Sequence, residues 1–258
     1  MSEAVVNDAS LTYLSLFSGV GGIDLGLDRA GMTCVGQVEI DPYCQRVLAR
    51  HWPGVPRHDD VRTVIGWWGN RPAPDLVAAG FPCQPVSRGG YRRVQADERW
   101  LWPAVAEVVR HLRPRWLLLE NVSGLLDRGM GEVLGDLAAI RYDAEWQVIC
   151  ASDVGAPHGR ERVVVLAYPE GVYGLSRGVL VESRDGRAPQ PVGGLPGLAE
   201  DQRRAAAVEW LEREPRVDRL AHGLPAQVDR LRVAGNSVVP QLAEFVGSAV
   251  LAASGVAA

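Results

Sequence analysis

Lysine is missing from this sequence: all 27 basic residues are arginine. Set against 31 acids they leave a net charge of −4, which excludes a global electrostatic pull toward nucleic acid and leaves any such pull to local patches. Cysteine is scarce, with Cys34, Cys44, Cys83 and Cys150 forming no CxxC pair, and the five histidines show no metal-ligand spacing. A disulfide framework and a structural zinc site are therefore not expected, nor is any other bound metal. No apolar run approaches the ~18 residues of a membrane span. No basic side chain precedes Arg29, so a secretory leader is not expected either. What remains is ordinary globular usage, 47% apolar and 22% charged, in 258 residues. At about 150 residues per domain, that is room for one sizeable domain with a modest appendage, in a soluble intracellular chain.

Local patterning supplies the architecture. Tyr13 to Phe17 is a short apolar run that stops at Ser18-Gly19-Val20-Gly21-Gly22, and a helix then reads from Ile23 to Ala30. Thr33 to Glu39 alternates like a strand. Asp41-Pro42 opens the next helix, with Asp placed to cap free amides and Pro at the first helical position. Asp75 to Ala79 reads as a strand. Leu101, Val105, Val108, Val109 and Leu112 form a helical stripe. Arg115 to Glu120 is a buried strand, Val133 to Ile140 a helix, and strands follow near Trp146–Ala151 and Arg162–Ala167. Alternating strands and helices predict an α/β fold, a mostly parallel sheet with helices on both faces. Tyr168 to about Leu231 is rich in Gly, Pro, Arg and Ser and reads as a small loop-rich region. The periodic pattern returns with Gly235-Asn236-Ser237-Val238-Val239-Pro240 and a closing helix. The expected division is 1–167 with 232–258 as one domain, and 168–231 as the small region.

Four motifs carry chemistry. The glycine turn after the first strand lets a ligand approach the backbone, and Glu39 lies 20 positions after Gly19, where such folds place the acid that accepts from ribose hydroxyls. The pattern departs from GxGxxG, so alone it is equally an ordinary tight turn. Asp60 could accept from an adenine amino group, or be a solvated loop acid. Gly80-Phe81-Pro82-Cys83-Gln84-Pro85 follows a strand directly, which puts a cysteine at the sheet edge where open α/β sheets bind ligands. A thiolate there is a candidate nucleophile. Glu120-Asn121-Val122 ends another strand at the same edge, and burial would let its carboxyl hold a proton at neutral pH. Arg160 and Arg162, two positions apart before a strand, face the same way; surface ion pairing is the plain alternative for them.

In order, FSGVGG, GFPCQP, ENV, GRER and GNSVVP resemble the cytosine-5 DNA methyltransferases of bacterial and bacteriophage type, from about Tyr13 to the C-terminus. The resemblance implies a Rossmann-like S-adenosylmethionine-dependent methyltransferase fold. It implies methyl transfer to carbon 5 of cytosine in duplex DNA, restriction-modification among the roles, and base flipping. By that resemblance Cys83 adds to cytosine carbon 6, Glu120 contacts N3 and the exocyclic amine, Asn121 helps hold the catalytic loop, and Arg160 and Arg162 stabilise base and loop. Phe17, Gly19, Gly21, Gly22, Glu39, Ile40, Asp60 and Pro82 would line the S-adenosylmethionine pocket, closed by Asn236, Ser237 and Val238. DNA contacts would come from Gln84, Ser87, Arg88, Arg92, Arg93 and Arg99 after the nucleophile. Arg184 and Arg187 in the small region could touch bases or phosphates, or belong to a solvated loop. His158 stands where many members carry Gln and Val86 where Phe is common. The small region is short for the variable target-recognition domain through which the family reads sequence. A monomer in a bacterial or phage-infected cytoplasm is the expected setting. A transfer-RNA methyltransferase with the same chemistry and a silent DNA-binding member are the alternatives.

Overall fold

The structure, a computed structural model, describes residues 10–82, 100–155, 159–171 and 238–255. Among them the chain runs β1 (Thr12–Leu16), α1 (Gly22–Arg29), β2 (Thr33–Val38), α2 (Pro42–His51), β3 (Arg57–His58), a 3-10 turn at Val61–Thr63 and α3 (Val64–Trp68). Then follow β4 (Leu76–Ala79), α4 (Trp102–Leu112), β5 (Trp116–Val122), α5 (Leu125–Arg128), α6 (Met130–Ala139), β6 (Tyr142–Cys150), a 3-10 turn at Ala151–Val154, β7 (Glu161–Pro169) and α7 (Pro240–Ala253). No described helix is long and apolar enough to cross a membrane.

The seven strands form one sheet in the order β3-β2-β1-β4-β5-β7-β6. The first five pair in parallel, as the strand–helix alternation requires. β7 inserts between β5 and β6 and is antiparallel to both. It alone runs against the rest, because β6 and β7 are joined by a short connection that allows only an antiparallel return.

The period of two along the strands feeds two cores. Leu14, Leu16, Val77, Ala79, Leu117, Leu119, Val163 and Val165 pack with α3, α4 and α6. Tyr13, Leu76, Ala78, Trp116, Leu118, Val164 and Leu166 pack on the opposite face with α1 and α7. Complete burial on both faces explains why β4 and the first four residues of β5, Trp116–Leu119, read as unbroken apolar runs. α1 and α7 come closer than side chains allow. A Cβ on Gly26 would lie 2.2 Å from the Pro240 carbonyl, so glycine sets that approach. This contact seats the returning C-terminal segment against the first helix, beside the first turn.

Candidate active site

The N-terminal half of the site is built from the turn between β1 and α1. Phe17, Gly19 and Gly21 all have positive φ, 57°, 56° and 88°. Left-handed backbone is uncommon for a bulky side chain such as Phe17, and such conformations persist only where the surroundings over-determine them. Here they do. Ser18 N–H donates to the Val38 carbonyl (3.1 Å), Gly21 N–H to the Ser18 carbonyl (2.8 Å), and Gly19 N–H to Glu39 Oε2 (2.8 Å). A Cβ on Gly21 would meet the Trp52 ring at 2.4 Å, whereas one on Gly19 would meet nothing within 4 Å among the described residues.

Glu39 follows β2 and bridges the turn to the next helix: Oε2 accepts from Gly19 and Oε1 from the Asp41 N–H at 2.7 Å. Asp41 caps α2 through Tyr43 N–H (2.8 Å) and Cys44 N–H, with Pro42 at the first helical position, as the sequence predicts. Ile40 is 65% exposed beside this acid, an apolar side chain without an apolar cover. Asp60 follows β3 and is engaged locally. Its carboxylate accepts from Arg62 backbone N–H and guanidinium, and the Arg62 hydrogen bonds hold its pKa below the usual range. Val238 is buried in the α1–α7 core.

The second half lies where β4, β5 and β7 meet. Glu120 sits in β5 opposite Val164 of β7, and Arg162 pairs two positions away with Val122. Arg162 lies inside β7, near the point where the sequence reading begins that strand, and Arg160 precedes it. Arg162 Nε donates to Glu120 Oε1 at 2.6 Å, with side chains only 12% and 9% exposed. Burial pushes the Glu120 carboxyl up to about 7, against the pull of Arg162 and then Arg160. Desolvation of the carboxylate outweighs the ion pair, as it does when a charge is taken almost wholly out of water. Gly80 makes room for this group, since a Cβ there would stand 3.3 Å from Glu120 Oε2.

Asn121, adjacent in β5 and buried, donates from Nδ2 to the Phe81 carbonyl at 3.0 Å. This bond ties the end of β4 to β5 just before Pro82. The Phe81 ring rests edge-on against Trp100, centroids 5.7 Å apart, and beside Trp102 at 5.8 Å. Both indoles are anchored in turn on α6, Trp100 Nε1 to Glu132 (2.9 Å) and Trp102 Nε1 to Asp136 (2.8 Å). These aromatic supports are absent from the sequence reading; the visible signal is a pair of acids, Glu132 and Asp136, four apart on one helix face.

Cys83, Gln84, Ser87, Arg88, Arg92, Arg93, Arg99, Arg184, Arg187, Asn236 and Ser237 lie outside the described residues. So do Val86 and His158, and most of 168–231. Sequence places Cys83 one peptide after Pro82. No cluster of metal-ligating side chains occurs among the described residues.

The type II methyltransferase M.DsaV of Dactylococcopsis salina is 34% identical over 165 residues, 62% of this chain and 46% of that protein. M2.BsuMI, a type II methyltransferase of Bacillus subtilis, is 36% identical over 166 residues, 61% of this chain and 42% of that protein. The matched part is thus less than half the length of these two relatives. The crystal structure of the S. pombe Dnmt2 methyltransferase superposes with a TM-score of 0.64 at 18% identity, covering 94% of this chain and 98% of that one, and supports the fold alone. The sequence profile described as C-5 cytosine-specific DNA methylase matches residues 11–191, well over half the chain. With its Rossmann-like, mostly parallel sheet, this chain belongs to the C-5 cytosine-specific DNA methylase family.

Proposed function

We propose that the chain is a DNA (cytosine-5-)-methyltransferase that uses S-adenosylmethionine. The observation that carries the reading is Glu120: a carboxyl buried at the sheet edge, with a pKa near neutrality, beside Arg162 and next to the strand end that leads into Cys83.

The residues of the first turn fit the cofactor. Among the described residues no atom lies within 4 Å of where a Gly19 Cβ would stand, Ile40 offers exposed apolar surface, and Glu39 is fixed at the rim of the turn. Both Glu39 oxygens already accept backbone N–H groups. Each retains a lone pair, so the carboxylate can still accept from ribose hydroxyls. Phe17, Gly21, Gly22, Asp60 and Pro82 would complete the pocket, with Asn236, Ser237 and Val238 closing it. When bound, S-adenosylmethionine supplies an electrophilic methyl group.

This chain's own residues do the rest. Cytosine must leave the duplex stack, at a cost of a few kcal/mol, for its ring to reach the sheet edge. The Cys83 thiolate adds to carbon 6, and the electron pair that this displaces makes carbon 5 nucleophilic. Glu120, able to carry a proton near pH 7, gives it to N3 so that the ring does not accumulate negative charge. Arg162 holds the carboxyl in place, and Asn121 fixes the strand end from which Cys83 extends. After methyl transfer the carbon 5 proton leaves to a base, the thiolate departs and N3 returns its proton to Glu120, restoring the neutral aromatic ring and the enzyme.

Arginines 88, 92, 93 and 99, with Gln84 and Ser87, would contact DNA around the flipped base, and Arg184 and Arg187 in region 168–231 would contribute to target recognition. We place the work in a bacterial or phage-infected cytoplasm, in a monomer acting on duplex DNA. The relatives named as type II methyltransferases support DNA over transfer RNA and a restriction-modification role.

The test is transfer of tritiated methyl from S-adenosylmethionine to mixed-sequence duplex DNA and to transfer RNA, with Cys83→Ala as control. Label in DNA that vanishes in the variant is expected; label confined to RNA would overturn the substrate assignment.

A further inference from the structure

Beneath the first turn lies a buried carboxylate that the reaction does not use. Asp24 of α1 is fully buried, and its two oxygens are held from two neighbouring strands. Ser15 of β1 donates its hydroxyl to Oδ2 at 3.0 Å, and Gln37 of β2 donates Nε2 to Oδ1 at 2.8 Å. The network continues both ways. Ser18, inside the turn, donates its hydroxyl to Ser15 Oγ (2.9 Å), and Arg57 of β3 reaches Gln37 Oε1 at 3.3 Å. One carboxylate therefore ties the Ser18–Gly19 turn, through two hydroxyls, to the strand that leads into Glu39, and Glu39 bonds back to Gly19. Among titratable neighbours, the Cys34 thiol of β2 donates a long hydrogen bond to Oδ1 at 3.9 Å, and Tyr13 bonds the Asp24 carbonyl and Asp28, which also takes the Trp52 indole N–H.

We propose that Asp24 is a positioning residue for the cofactor: without touching it, Asp24 fixes the distance between the Phe17–Gly22 turn and Glu39 and so sets the affinity for S-adenosylmethionine. The inference rests on the cofactor reading of that turn. A buried polar chain of this kind holds one geometry because each member needs the donor–acceptor sense of its neighbours. Asp24→Asn reverses that sense at one atom. With its nitrogen toward Gln37 two donors meet, and turning Gln37 to accept would set its amide against the Arg57 guanidinium. With its nitrogen toward Ser15, the Ser15 hydroxyl must turn to Ser18 and the Ser18 hydroxyl to the Ser15 carbonyl at 3.2 Å, which reverses the link into the turn.

Isothermal titration of the full chain with S-adenosylmethionine tests this, alongside methyl transfer at saturating cofactor. Asp24→Asn is expected to weaken binding about tenfold, with kcat nearly unchanged. Ser18→Ala, which cuts only the link from turn to network, is expected to weaken it about threefold. Asp24→Asn with Gln37→Glu restores the donor–acceptor sense at both ends and should return the affinity to within about twofold of the original. Unchanged affinity in Asp24→Asn and Ser18→Ala would overturn the proposal. So would a loss that the double substitution fails to restore, since that is the mark of general destabilisation. If the unaltered chain binds no S-adenosylmethionine while folded, the cofactor reading itself falls and takes this inference with it.

Discussion

Replacing Glu120 by Gln should remove a pH-dependent loss of stability while abolishing the chemistry. The carboxyl rises from an ordinary 4.5 to about 7 on burial. At ~1.4 kcal/mol per tenfold, that shift means the folded state disfavours the ionised form by roughly 3 kcal/mol, net of the help from Arg162 and Arg160. The sign follows from proton counts. Between pH 4.5 and 7 the folded chain holds a proton at Glu120 that the unfolded chain has released, so unfolding free energy falls as pH rises through this window. Gln cannot titrate, and its Oε1 can still accept from Arg162 Nε. The difference in unfolding free energy between Glu120→Gln and the unaltered protein should therefore climb by roughly 3 kcal/mol from about pH 4.5 to about pH 7.5 and level off above. Urea denaturation of both proteins across that range measures it, since every other titration is common to the two. A difference that stays flat with pH, or that declines, would refute the argument that desolvation outweighs the Arg162 ion pair. Methyl transfer by the same variant is expected to fall by about 10²–10⁴-fold, the usual contribution of a positioned proton donor.

Further consequences are as direct. Gly21→Ala would put a methyl 2.4 Å from the Trp52 ring at a φ of +88°, so both S-adenosylmethionine affinity and melting temperature should drop; calorimetry showing neither change would contradict the packing described. Asn121→Ala removes the bond to the Phe81 carbonyl and leaves that acceptor buried, for about 1–3 kcal/mol. Single-turnover methyl transfer should slow with cofactor affinity intact, and an unaltered rate would dissociate Asn121 from the placement of Cys83. The double substitution Arg92→Ala, Arg93→Ala should weaken DNA binding and flatten its salt dependence by about 0.9 for each phosphate no longer neutralised, and an unchanged slope would remove these arginines from the DNA interface.

Features encoded by neighbouring residues are legible in the sequence, and features made by distant ones are not. The Asp41-Pro42 helix start, the glycine turn and the stripes of α4 and α6 are written locally, and the structure agrees with them. Two-residue β3 carries too few positions to show a period, and only pairing to β2 creates it. The reversal of β7 is a matter of long-range pairing and leaves no local signal. Glu120 and Asn121 stand out because an acid and an amide end an otherwise apolar strand. Asp24 does not, since an acid in a short amphipathic helix that also carries Asp28 looks solvated until Ser15 and Gln37 arrive from two neighbouring strands. Likewise, Trp100 and Trp102 gain meaning only when α6 presents Glu132 and Asp136 to them.

Carbon 5 methylation of DNA cytosine through Cys83, with Glu120 as proton donor, stands or falls on mass spectrometry of nucleosides. Duplex DNA incubated with S-adenosylmethionine and the protein would be digested, and the methylated nucleosides identified, for the unaltered chain, Cys83→Ala and Glu120→Gln. The expected result is 5-methyldeoxycytidine from the unaltered chain and almost none from either variant. Methylation at an exocyclic nitrogen, or 5-methyldeoxycytidine persisting in Cys83→Ala, would contradict the mechanism at its first step.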